Sequence, residues 1–187
     1  MSGLRTLALA AAVALAGAAA PSAAAPASTI FDLSDEVGRV ATPLTLTATD
    51  GAPLPVDGGG KPAYVFLFAS WCEPCQESLP FIRAAYAKYG DRVRFVGVDV
   101  LDDATAARSY VARAALPFPV AIFPIAQLDA TIAPDVQLRS GTKYRIPADF
   151  LIDARGVVRY AWHGLSMDDK GDPVDVLPAY LAKLGIE

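Results

Sequence analysis

The chain has 187 residues, with 16 Lys plus Arg against 20 Asp plus Glu and a formal charge of −4, so it lacks the basic surplus that a nucleic-acid partner requires. Its 53% apolar content is inflated by an Ala-rich start, and no later stretch is long and apolar enough to span a bilayer. Only two cysteines occur; a disulfide scaffold uses more, and a bridge between Cys72 and Cys75 closes too short a loop to remove much unfolded-state entropy.

Arg5, the unbroken apolar run from Leu7 to Ala20 and the small residues after it have the layout of a secretory signal. Ala25-Pro26-Ala27 is the expected cleavage site, giving a leader over 1–27 and one domain over 28–187. The rival is an uncleaved membrane anchor, although Ala, Gly and Pro make a poor spanning helix. Cleavage would remove Arg5 and no acid, leaving the remainder one unit more negative than −4 and without stable membrane insertion.

From Ser28 to Asp57 weak alternation at Leu44 and Leu46 predicts one short strand, followed by the Gly58-Gly59-Gly60 loop. Tyr64 to Phe68 is aromatic and β-branched throughout, as expected of a strand buried on both faces. Leu79, Ile82, Tyr86 and Tyr89 then recur at helical spacing, predicting a helix from Cys72 to Tyr89 with Pro74 in its first turn and a kink at Pro80. Val93 to Asp99 reads as a second buried strand, completing a β-α-β unit.

Asp103 to Ala115 follows as a helix capped by Asp103. Pro119 to Arg145 is poorly patterned; a short helix over Ile125 to Ala133 and a turn at Ser140-Gly141 are expected. Phe150 to Ile152 and Val157 to Trp162 flank Asp153-Ala154-Arg155-Gly156 as a hairpin, and Asp175 opens a last helix with Val176, Leu177, Tyr180, Leu181 and Leu184 inward. This order is that of the thioredoxin fold, an α/β class with a mixed central sheet and helices on both faces.

Disulfide exchange needs a thiolate that attacks and a second thiol near enough to resolve the mixed disulfide. Cys72 at a helix start meets unpaired amides and the positive end of the macrodipole, while Cys75 lies one turn deeper. Cys72 is therefore the expected nucleophile and Cys75 the resolving thiol, chemistry that implies no cofactor. Trp71 is expected on a substrate-facing rim, since Trp tolerates a half-wet site.

Trp71-Cys72-Glu73-Pro74-Cys75, placed directly after a buried strand, together with Pro80 and Ile146-Pro147-Ala148-Asp149-Phe150-Leu151-Ile152-Asp153 followed by Gly156, resembles the TlpA/ResA-like branch of the thioredoxin superfamily. The likeness runs from about Leu44 to Leu184. It implies a cis-proline at Pro147 facing the dithiol, Ile146 offering backbone groups to an extended substrate, disulfide-containing protein substrates such as apo-cytochrome c, and a membrane thiol reductase as electron donor. It also implies a periplasmic or otherwise extracytoplasmic setting. The chain departs from the pattern where family members often carry a proton-transferring Glu three residues after the second Cys: Ser78 stands there and Glu77 is one position off, about 100° around a helix. The proton acceptor is left open.

Two cysteines and one histidine fall short of a four-ligand zinc site, and Gln76 stands where covalent haem attachment needs His. A copper carrier of the Sco type stays open because His163 accompanies the Cys pair, although that family spaces its cysteines one residue wider. Otherwise His163 is a surface or packed residue. A thiol peroxidase on the same fold also stays open, without its usual upstream Thr or Ser and Pro. Lys143, Tyr144 and Arg145 read as solvated loop charge. Finally, Glu73 places a carboxylate beside Cys72, and no Lys, Arg or His lies between Ala69 and Ile82; Glu73 and Pro74 are thus expected to tune the couple toward a reductant.

Overall fold

The computed structural model describes residues 37–41, 45–56, 60–100, 102–122 and 146–187. The leader over 1–27, the helix expected over Ile125 to Ala133, the turn at Ser140-Gly141 and the loop charges at Lys143 to Arg145 lie outside these residues.

The sheet is organised around β3 (Ala63–Phe68), whose six residues are all buried. Its parallel neighbour is β4 (Arg94–Asp99), which pairs in parallel with β5 (Val120–Ile122). On the other side β6 (Ala148–Ile152) runs antiparallel to β3, and β7 (Val158–His163) antiparallel to β6, with a register irregularity at Leu151/Ile152. The five-stranded order is β5-β4-β3-β6-β7. This mixed sheet is the expected one, with β5 as an addition: three residues before a Pro-interrupted stretch are too few to show a period. Before it, β1 (Thr45–Thr47) and β2 (Pro53–Pro55) form a hairpin, Leu46 opposite Leu54, where one strand was expected. Proline at both ends of β2 hides it from a propensity reading.

Alternation along β3 sends its side chains into two apolar layers. Ala63, Val65 and Leu67 join Val96, Val98, Phe150 and Ile152 beneath the β1–β2 hairpin. Tyr64, Phe66 and Phe68 face the opposite layer with α1 (Glu73–Tyr89). Tyr110 of α2 (Ala104–Ala114) and Leu177 and Leu181 of α3 (Leu177–Lys183) complete that second layer. The face expected to carry helices as well is covered, among the described residues, by the hairpin.

Local chemistry sets the helix ends. Asp103 caps α2 by accepting the Thr105 and Ala106 amides, and Arg83 of α1 donates to the Ala114 and Ala115 carbonyls at its other end. Asp175 accepts the Leu177 amide, although Val176 rather than Asp175 is the cap residue of α3. In β4, Gly97 leaves room where a Cβ would stand 3.0 Å from the Val120 side chain and 3.2 Å from the Phe118 and Phe68 rings. Gly97→Val should therefore overpack this layer and cost about 1–3 kcal/mol; urea unfolding of the oxidised protein checks this, and an unchanged midpoint would mean that the rings move aside freely.

Candidate active site

β3 ends at Phe68, and α1 begins at Glu73 after four intervening residues. The turn between them is held from several sides. Cys72 N–H donates to Ala69 O at 3.2 Å, Ser70 N–H to the Asp102 carboxylate at 2.6 Å, and the Gln76 amide to Ser70 O at 2.9 Å. Asp102 is in turn fixed by its own N–H donating to Asp99 Oδ1 at 3.1 Å. Asp99 at the end of β4 and Asp102 three residues beyond it thus position the segment that delivers Trp71 and Cys72.

Cys72 is the N-cap residue of α1, and its Sγ accepts the Cys75 N–H at 3.2 Å. A thiolate there receives a backbone donor in addition to the helix dipole. Glu73 and Pro74 form the first turn, both exposed, and the proline costs no hydrogen bond where the amide has no helical partner. Cys72 and Cys75 are joined as a disulfide with their Cα atoms 5.2 Å apart. Cys75 is the deeper at 1% exposure, but Cys72 at 4% is nearly as covered. Sequence reasoning expected a more open nucleophile; Cys72 instead belongs to the same buried α1 layer as Cys75.

Trp71, by contrast, is 62% exposed beside the disulfide. The Ile146–Pro147 peptide is cis, Pro147 is buried, and its carbonyl accepts the Gly164 amide at 2.8 Å. Ile146 packs against both apolar layers. With Pro74, Glu77, His163, Leu165 and Met167 it lines an open groove of about 350 Å³ along the start of α1. The groove brings together Pro74, Ile146 and His163, which are distant in sequence. Glu77 points to it, whereas Ser78 turns to the buried face and donates to Pro74 O at 2.8 Å. Among the described residues no three His, Cys, Asp or Glu side chains are placed to hold a metal ion.

One feature of the site was absent from the sequence reasoning. Asp149, two residues after Pro147, is 4% exposed on β6 and sits opposite Phe66 of β3, on the α1 side of the sheet. The Tyr64 hydroxyl donates to its Oδ1. Burial raises the Asp149 carboxyl to about 7, with the Tyr64 hydrogen bond working against the rise. Tyr64 is itself pushed well up by burial and then by the charge of Asp149. An acid directly before the apolar run Phe150-Leu151-Ile152 was the available signal.

Residues 15–171 match the redoxin family model, and the chain belongs to the redoxin family. Thiol-disulfide oxidoreductase ResA of Bacillus thuringiensis subsp. konkukian is 28% identical over 125 residues, covering 66% of this chain and 67% of that protein. Thiol:disulfide interchange protein DsbE of Escherichia coli K12 is 28% identical over 105 residues, 56% of this chain and 51% of the relative. Among solved structures, a Chlorobium tepidum protein described as thiol:disulfide interchange protein DsbE superposes with a TM-score of 0.62 at 27% identity, over 82% of this chain and 97% of that one. A secreted Mycobacterium tuberculosis disulfide oxidoreductase, at 22% identity and TM-score 0.56 over 75% of this chain and 95% of that one, shares the fold. The chain is thus a thiol–disulfide oxidoreductase of the ResA/DsbE type.

The raised Asp149 carboxyl links stability to pH. Below 3.8 the group is protonated folded or unfolded and costs nothing; between 3.8 and about 7 only the unfolded chain ionises; above about 7 the folded protein carries the full penalty. That penalty is on the order of 4 kcal/mol at most. Asp149→Asn should accordingly gain stability relative to the parent as pH rises from 4 to 8, by a few kcal/mol in chemical denaturation. A difference that does not change with pH would show that the carboxyl titrates normally.

Proposed function

We propose that the chain is exported and reduces disulfides of extracytoplasmic proteins, with Cys72 as the attacking thiol and Cys75 as the resolving thiol. The observation that carries this is the Cys72 sulfur at the first turn of α1, accepting a backbone N–H. In the reaction Cys72 thiolate attacks one sulfur of the substrate disulfide and expels the other as a thiolate. Cys75 then attacks Cys72 Sγ, releases the second substrate thiolate and closes the Cys72–Cys75 bond, so that two electrons have passed to the substrate. Regeneration requires an external dithiol, for which a membrane thiol reductase is the proposed donor.

Exposed Trp71 and the groove beside Ile146 and Pro147 are the proposed substrate rim, where an extended segment lies across the disulfide. Apo-cytochrome c is the first substrate to test. The proposed location is periplasmic or otherwise extracytoplasmic, supported by the apolar run from Leu7 to Ala20 and by Ala25-Pro26-Ala27. In this reading residues 1–27 are the leader and 28–187 the working domain; retention of the leader would tether that domain to the membrane. No helix among the described residues is long and apolar enough to cross a membrane.

Cys75→Ala, expressed in the native host, should hold one protein substrate per molecule as a mixed disulfide on Cys72, released by dithiothreitol and identified by mass spectrometry. Absence of any adduct would contradict Cys72 as the attacking thiol, and adducts on Cys75 in a Cys72→Ala protein instead would reverse the roles. In the reduced parent, iodoacetamide at neutral pH should label Cys72 well before Cys75, because a helix start with a free backbone donor favours the thiolate there. Glu73→Gln should lower the Cys72 pKa further and make the couple more oxidising; an unchanged alkylation profile would mean that the Glu73 carboxylate is screened by solvent.

A further inference from the structure

When Cys75 attacks the mixed disulfide it must first lose a proton, and at 1% exposure it has no direct access to bulk solvent. Ser78 follows Cys75 by three residues on the same buried face of α1, which places the two Cβ atoms about 5–6 Å apart. Ser78 also lines a small cavity of about 40 Å³, whose other walls include Tyr64, Ile82, Asp149, Trp162 and Asp175. A cavity of that size with several polar groups accommodates a water molecule. The Ser78 proton is directed to Pro74 O, so its oxygen is available as an acceptor toward the cavity.

We propose that Asp149, reached from Cys75 through the cavity beside Ser78, takes the Cys75 proton as that thiol attacks Cys72, and that Tyr64 is the positioning residue that orients its carboxylate. Cys75 thiol and Asp149 carboxylate become Cys75 thiolate and Asp149 carboxylic acid, a water in the cavity passing the proton. Cys75 thiolate then forms the bond to Cys72 Sγ as the substrate thiolate leaves. When an external dithiol later reopens the bond, the same acid returns its proton to Cys75.

Three observations support the assignment. Cross-strand register puts Asp149 opposite Phe66, which shares the α1 layer with both cysteines. Asp149 is two residues from Pro147 on a strand whose lead-in residue, Ile146, packs against that same layer. Its carboxyl, raised to about 7 by burial, can both accept and return a thiol's proton near neutral pH. The groups facing it are the Tyr64 hydroxyl from β3, the Ser78 hydroxyl from α1 and, from the segment entering α3, Asp175, whose own carboxyl burial also raises.

The assignment rests on Cys72 attacking and Cys75 resolving, and the test separates the two claims. Reduced protein mixed with 5,5′-dithiobis(2-nitrobenzoate) should release one thiolate as Cys72 attacks and a second as Cys75 resolves, and Cys75→Ala should retain only the first. Loss of the first phase in Cys75→Ala would refute the roles of the cysteines. With those roles in place, Asp149→Asn should slow the second phase at pH 7 by about tenfold or more while changing the first by less than about twofold. Tyr64→Phe, which removes the hydrogen bond that favours the ionised carboxylate, should move the inflection of the second phase to higher pH, and it carries the test if Asp149→Asn does not fold. Second-phase profiles identical to the parent in the folded variants would overturn the proposal. So would a profile that Asp175→Asn shifts and Asp149→Asn does not.

Discussion

The first turn of α1 is the constraint on which the site depends. A helix start leaves amides without partners, and here one of them is met by the Cys72 sulfur. That places a sulfur where negative charge is favoured and its partner one turn inside, beneath the same helix. The turn before it is held by Ala69, Asp102 and Gln76, so the position of the dithiol is inherited from the ends of β3 and β4. The sheet provides a rigid edge, and the short connection leaves Cys72 little freedom to wander.

The same arrangement has a cost that the protein carries in its interior. Helix α1 covers the layer of β3 and β6 in which Asp149 sits among aromatic rings. Tyr64 stacks on Trp162 with ring centroids 6.2 Å apart and packs edge-on against Phe95 at 5.3 Å, so its hydroxyl cannot easily leave the carboxylate. A buried acid with one hydrogen-bond donor among the described residues is a poor structural element at neutral pH, where its ionised form opposes folding. A residue that taxes stability close to a reactive pair is more economically explained by chemistry than by packing.

Much of this was legible in the sequence because the signals were local and redundant. The continuous apolar run of β3, the helical spacing of Leu79, Ile82 and Tyr89, and the Asp103 cap each report on their own segment. The helix start at Cys72 followed from the placement of Pro74. The hairpin of β1 and β2 and the short β5 were less visible, since strands of three residues are specified by their partners rather than by their own pattern. Asp149 could not be read as a partner of Tyr64, 85 residues away. Burial of Cys72 escaped for a similar reason: it follows from the tertiary layer the helix start joins, which a helix-end argument does not contain.

The central claim is that a helix-end sulfur with an acidic neighbour makes a reducing couple. Its most direct measure is the equilibrium of the Cys72–Cys75 dithiol with a glutathione buffer of known poise. A potential near that of thioredoxin, about −270 mV, or lower is the result the account predicts. A potential near about −120 mV, as for an oxidase whose reduced form is strongly stabilised, would contradict it.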